Sequence, residues 1–134
     1  MTLNVQVVSP ERVLFGGDAQ IVFARTIGGG DIAFLTDHAP FLGALETWPV
    51  VMKLESGESV RVAVHGGFVE VANNRVFILS DVAELADAID VERARDSLAR
   101  AEAALHTDPD DEDAASAAAR ARVRLEVTDA TTSA

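Results

Sequence analysis

At 134 residues with 49% apolar side chains, the chain is long enough to bury a real core, and without cysteine it has no disulfide, thiolate nucleophile or zinc–thiolate site. Its formal net charge is −11 and Lys53 is its single lysine, so it lacks the clustered cations that neutralise a phosphate backbone, and no nucleic-acid partner is expected. No apolar run approaches the roughly 20 residues of a membrane span. The opening MTLNVQVVSPERV has neither the basic start nor the unbroken apolar stretch of a signal peptide, which predicts a protein of the cell interior with no direct membrane insertion.

The first part of the chain reads as strands. Leu3, Val5 and Val7 alternate with Asn4 and Gln6, the period-two signature of a half-buried strand. Further strands are expected at QIVFAR (20–25), DIAFL (31–35), WPVVMKL (48–54), Val60 to Val64, FVEVA (68–72) and RVFILS (75–80). Turn signals separate them at Ser9-Pro10, Gly16-Gly17-Asp18, Ser56-Gly57-Glu58 and Asn73-Asn74. Asn tolerates a left-handed backbone, so the last pair is expected to close a hairpin. Aromatic residues make up 5% of the chain, with no Tyr, so the core is expected to consist of Val, Leu, Ile and Ala. Many short strands of this kind predict a sandwich or flattened barrel.

After about residue 88 the period changes. In DVERARDSLARAEAAL the residues Val91, Ala94, Leu98, Ala101 and Leu105 are spaced 3, 4, 3, 4, a helical stripe, and Asp90 is the expected N-cap. Pro109 within HTDPDDED (106–113) ends that helix. A second Ala-rich helix is expected from about Asp111 to Val127, with its acids early and its arginines late, as the helix dipole favours, and the tail DATTSA is expected to fray. The fold class is therefore α+β, an N-terminal β-sandwich or flattened barrel followed by an antiparallel two-helix hairpin. Alanine buries little area, so the hairpin is expected to be weakly docked and able to open.

Two local patterns invite chemistry. Asp31, Asp37 and His38 in GGGDIAFLTDHAPF resemble a metal set, but His65 and His106 sit in segments of different character and do not converge with them; a structural loop is the expectation, and no metal site. Gly28-Gly29-Gly30 has no lysine after it and no helix start, which excludes a Walker-type phosphate loop. Gly66-Gly67 reads as a bulge or tight turn. No nucleophile motif supports an enzyme.

Four pieces in chain order carry a family resemblance: VVSPERVLFGGDAQIV (7–22), GGGDIAFLTDHAPFLGAL (28–45), VHGGFVEVANNRVFILSDVA (64–83) and AIDVERA (88–94). In these the chain resembles the epsilon subunit of the bacterial F-type rotary ATP synthase over nearly its whole length. The resemblance implies a β-sandwich over 1–87 that docks on the gamma subunit and the c-ring. It implies a regulatory helical hairpin over 88–134 that moves between folded and extended states, the extended one reaching the alpha and beta subunits and obstructing ATP hydrolysis. It implies a non-catalytic central-stalk subunit coupling rotation, peripheral to the cytoplasmic side of the cell inner membrane.

Particular residues follow from the resemblance. Against the family pattern G-E-x-G-x-x-P-G-H-A-P, this chain carries Asp31 for glutamate and Ala33, Thr36 and Asp37 for glycine, proline and glycine, while His38, Ala39 and Pro40 match; His38 is implied as a gamma contact. Ile89, Asp90, Arg93 and Ala94 fit the I/L-D-x-x-R-A pattern through which some members bind ATP. Arg100 lies seven residues after Arg93, and Arg120 and Arg124 are four apart ahead of LEV, so each pair shares a helical face. Asp90, Arg93, Arg100, Arg120 and Arg124 are thus the candidate site for ATP as a regulatory ligand, with no other cofactor. An ATP-sensing small protein is the alternative reading. Arg120, Arg122 and Arg124 are the candidate contacts to an acidic region of beta, and DPDDED (108–113) adds negative charge that would oppose that docking.

Overall fold

The computed structural model describes backbone from residue 2 to 132 and side chains as far as Thr128. The chain divides into two compact units, Met1–Leu85 and Ala86–Ala134.

The first unit is one mixed eight-stranded sheet: β1 (Leu3–Val8), β2 (Val13–Ala19), β3 (Ile21–Thr26), β4 (Gly30–Phe34), β5 (Phe41–Lys53), β6 (Ser59–Ala72), β7 (Arg75–Leu79) and β8 (Ala83–Leu85). The strand order is β2-β1-β7-β6-β5-β3-β4, with β8 also on β6. β1 and β7 are parallel and the remaining pairs antiparallel. This is the expected β-sandwich, and β5 and β6 join its parts. Near one end β6 pairs with β8 through Val62 and Val64, and at the other with β7 from Phe68 to Ala72.

The core follows the period-two reading. Leu3, Val5 and Val7 of β1, Val22 of β3, Met52 of β5 and Ile78 of β7 are fully buried, and Phe34 is the one aromatic among the largest fully buried side chains. At about 1.5–3 kcal/mol for each fully buried Val, Leu, Ile, Phe or Met, this cluster is the main stabilising term of the unit. In both long strands the buried positions change parity midway: Leu45 gives way to Val50 and Met52, and Val62 and Val64 to Val69 and Val71.

Three local expectations are modified. Gly16-Gly17-Asp18 is not a turn but lies within β2, which pairs only with β1 at the sheet margin, where glycine costs little. WPVVMKL is the second half of a strand that begins at Phe41. Val60–Val64 and FVEVA are one strand, because Gly66-Gly67 is neither a turn nor a slip. Pairing with β5 keeps one register across it, Thr47 with His65 and Leu45 with Gly67. Both glycines have positive φ, 82° and 120°, and a Cβ on Gly67 would collide with the Leu79 carbonyl oxygen. Close approach of two backbones requires glycine there.

The second unit is a 3-10 turn (Ala86–Ala88), α1 (Val91–Thr107) and α2 (Glu112–Thr132). Asp90 caps α1, its side chain accepting from the Arg93 amide at 3.1 Å, and Asp111 does the same for α2 through the Ala114 amide at 3.0 Å. The α1 C-terminus is closed by the Asp108 amide donating to the Ala104 carbonyl, one residue ahead of Pro109. Buried positions are mainly alanine: Ala94 and Ala101 on α1, and Ala114, Ala118 and Ala121 on α2 with Val123 and Val127. The α2 backbone is helical to Thr132; residues 133–134 of the tail expected to fray lie outside the described residues.

Candidate docking site

The loop that carries Asp37 and His38 is shaped from within. Asp37 has φ 66°, at the position where the family pattern has glycine. Its amide donates to Asn74 Oδ1 at 2.6 Å, and Asn74 Nδ2 donates to Asp37 Oδ1 at 3.3 Å. Asn73 and Asn74, at φ 53° and 61°, close the β6–β7 hairpin as their sequence requires. The half-buried His38 ring stands edge-on to Phe34, centroids 5.0 Å apart, and its Nδ1 lies 2.7 Å from the Ala39 carbonyl oxygen. The ring is thus oriented by this loop.

Asp31 is committed elsewhere. Arg25 Nε and Nη2 donate to its two carboxylate oxygens at 2.7 and 3.2 Å across the β3–β4 pair. The same guanidinium stacks 3.4 Å from the Trp48 ring centroid. The Arg25 hydrogen bonds hold the Asp31 carboxyl below its ordinary range. Among the described residues no group of three metal-ligating side chains converges; Asp31 is paired with Arg25 and Asp37 with Asn74.

A surface not foreseen lies on the sheet beside this loop. Leu42, Glu70 and Phe77 are direct cross-strand neighbours on β5, β6 and β7, and Ala44, Phe68 and Leu79 form the next row. Residues opposite one another in a ladder share a face, so these two rows make one patch. Leu42, Phe68, Phe77 and Leu79 keep 70, 57, 38 and 39% of their surface exposed. Four large apolar side chains side by side on an open sheet face mark an interaction surface. A signal was present in the sequence: Phe68 shares the phase of Glu70, and Phe77 that of Arg75, an apolar residue where a solvent-facing one is due.

On the hairpin, the chain reverses between Thr107 and Glu112, which sets Arg100 about level with Arg120, and Arg93 with Arg124. Arg100 Nη2 is ion-paired to Asp96 at 3.2 Å and lines a shallow groove with Ser97, Ala101, Asp111 and Ala114. Arg122 Nη2 reaches Glu102 of α1 at 3.7 Å, an exposed pair worth at most about 1 kcal/mol. Arg93 and Arg120 are exposed; Arg124 is half-buried, and its carbonyl accepts from Thr128 Oγ1 at 3.1 Å. Asp90 uses one carboxylate oxygen as the helix cap.

Residues 2–86 match the family described as ATP synthase, Delta/Epsilon chain, beta-sandwich domain. The chain belongs to that family. Relatives named ATP synthase epsilon chain include those of Streptomyces avermitilis, 46% identical over 75% of this chain and 81% of the relative. Those of Brevibacillus brevis (45% identical, 77% of each chain) and Thermobifida fusca (49%, covering 75% and 74%) are similar. The sequence is thus that of an ATP synthase epsilon subunit. Among solved structures, a chain of the Euglena gracilis mitochondrial ATP synthase OSCP/F1/c-ring assembly superposes with a TM-score of 0.69, at 19% identity over 98% of this chain and 80% of that one. A chain of the Tetrahymena thermophila mitochondrial ATP synthase central stalk and c-ring gives 0.58, at 15% identity over 96% and 97%. At those identities the superpositions report the fold. No helix among the described residues is long and apolar enough to cross a membrane.

Proposed function

We propose that this epsilon subunit is a non-catalytic part of the central stalk of a proton-translocating ATP synthase. It would lie on the cytoplasmic side of the cell inner membrane, peripheral to it. Its β-sandwich docks on the gamma subunit and the c-ring and couples their rotation, and its hairpin restrains ATP hydrolysis by reaching the alpha and beta subunits. The observation that supports docking best is the two-row apolar patch of Leu42, Phe68, Phe77 and Leu79, with the oriented His38 loop beside it. The hairpin role rests on family membership and on side-chain size: its buried positions are mostly alanine, each contributing about one methyl group, so separating the helices costs little.

The deciding experiment adds back either the full chain or a form ending at Ile89 to an epsilon-depleted catalytic complex and measures ATP hydrolysis. Suppression by the full chain alone assigns inhibition to the hairpin. Binding of both forms without suppression by either removes the inhibitory role and leaves the coupling one.

Nucleotide sensing is the competing reading of the hairpin. Arg100 would have to exchange Asp96 for a triphosphate, and Arg93, Arg120 and Arg124 would have to turn to the same ligand. Titration with ATP separates the two. Heat at millimolar ligand or below, lost in Arg100→Ala, would place the hairpin in the sensing class.

A further inference from the structure

His65 is an ionisable side chain buried at the point where the inward phase of β6 changes. It sits on β6 just ahead of Gly66, and its side chain keeps only 4% exposure. Its Nε2 lies 2.8 Å from Glu84 Oε1 on β8, and Glu84 keeps 27%. Burying an imidazole and a carboxylate together is costly unless each serves the other.

β8, whose Ala83 and Leu85 also pack against the core, is the element this pair adds a side-chain contact to. It is three residues long, all half-buried, and pairs with β6 through Val62, Ala63 and Val64. Strands of that length hold on weakly by backbone pairing alone. The approach to β8 is fastened at Val82, whose carbonyl accepts from the His65 amide at 3.1 Å and from Ser80 Oγ at 2.9 Å. His65 thus grips this segment twice, by its backbone at Val82 and by its ring at Glu84. β8 is also the last strand before the chain enters the helices.

We propose that His65 and Glu84 form a proton-sensitive clasp that fastens β8 to β6 at the root of the hairpin. With the imidazole protonated the contact is a charge-assisted hydrogen bond; with it neutral, Nε2–H donates to the carboxylate as an uncharged donor, and the contact is weaker. The clasp therefore tightens as pH falls through the imidazole range and loosens as pH rises. Among the described residues, the charged groups on the elements beside His65 are Arg61 and Glu70 on β6, Glu46 and Lys53 on β5, Asp18 on β2, Asp81 ahead of β8 and Glu84 itself. Glu46 is turned toward Arg25 at 4.0 Å, and Asp18 accepts from Asn4 at 3.4 Å. Opening the clasp loosens β8 and its approach, residues 81–85, a segment of up to about 18 Å.

The test uses the isotope-labelled full chain and amide exchange between pH 5.5 and 8.5, corrected for intrinsic rates. Protection at the Glu84 amide, which by the register bonds back to Ala63, is expected to fall about tenfold relative to β1 as pH rises. Glu84→Gln should lower it at pH 6 to its high-pH level. His65→Gln, which keeps a donor but does not titrate, should make it pH-independent. If β8 protection tracks β1 at every pH in the wild type, or Glu84→Gln leaves it unchanged at pH 6, the clasp is overturned. Should His65→Gln misfold, the imidazole titration followed by NMR decides the matter: a midpoint unmoved by Glu84→Gln also overturns it.

Discussion

Asp37 and Asn74 each adopt a left-handed backbone and each supplies the other with a hydrogen bond, 37 positions apart in the chain. The pair ties the loop bearing His38 to the β6–β7 hairpin. Asn74→Gly keeps the backbone accessible and removes only the side-chain bonds, so urea denaturation should show a loss of about 1 kcal/mol. Asn74→Ala adds the cost of a left-handed non-glycine residue and should lose about 1–2 kcal/mol more. Equal losses in the two variants would mean that backbone conformation does not matter here.

The two positive-φ glycines at Gly57 and Gly67 differ in surroundings. Around Gly57, at φ 91°, nothing lies within 4 Å of a built Cβ, whereas at Gly67 it meets the Leu79 backbone. Gly57→Ala should cost about 1 kcal/mol, from conformation alone. Gly67→Ala should cost about 3 kcal/mol or more, because β6 and β7 must part. Thermal unfolding of the two variants side by side checks the contrast.

Arg25 gives Asp31 a distinct titration. Its hydrogen bonds lower the folded carboxyl below the ordinary 3.8. A depressed carboxyl contributes stability that is present above 3.8 and is lost as pH falls through the folded value. The carboxyl NMR signal of Asp31 should therefore titrate below 3.8 in the wild type and near it in Arg25→Gln. Identical curves would show that the bidentate contact does not persist in solution.

Phe68→Glu and Leu42→Glu test the apolar patch. Both side chains are exposed, so unfolding free energy should change by less than about 1 kcal/mol, most of it in Leu42→Glu, which faces Glu70 across the ladder. Affinity for the gamma subunit should fall by about thirtyfold, the scale of losing a central anchor of some 2 kcal/mol. Unaltered binding by surface-immobilised gamma would move the docking face elsewhere.

What could be read in advance was what is local. The Asp90 cap, the Asn73-Asn74 hairpin and the alternation of Leu3, Val5 and Val7 each depend on residues a few positions apart, and each stands in the structure. Gly66-Gly67 misled because the reason for it, the Leu79 carbonyl, arrives twelve residues after Gly67. Gly16-Gly17-Asp18 carries turn chemistry, but pairing with β1 overrides it. The Arg25–Asp31 pair and the His65–Glu84 contact require knowledge of which strands are neighbours, which no periodicity contains. The outward Phe68 and Phe77 were legible, as apolar residues in the polar phase.

The one lysine of the chain has a practical consequence. Lys53 ends β5, its Nζ 5.7 Å from the Phe23 ring, while Leu42 lies near that strand's beginning. At about 3.3 Å per residue the two are roughly 36 Å apart along the strand. An amine-reactive dye or bead therefore finds a single side-chain handle, at the far end of β5 from the apolar patch. A label there would leave the apolar patch uncovered, so the proposed docking could be followed by fluorescence without blocking it.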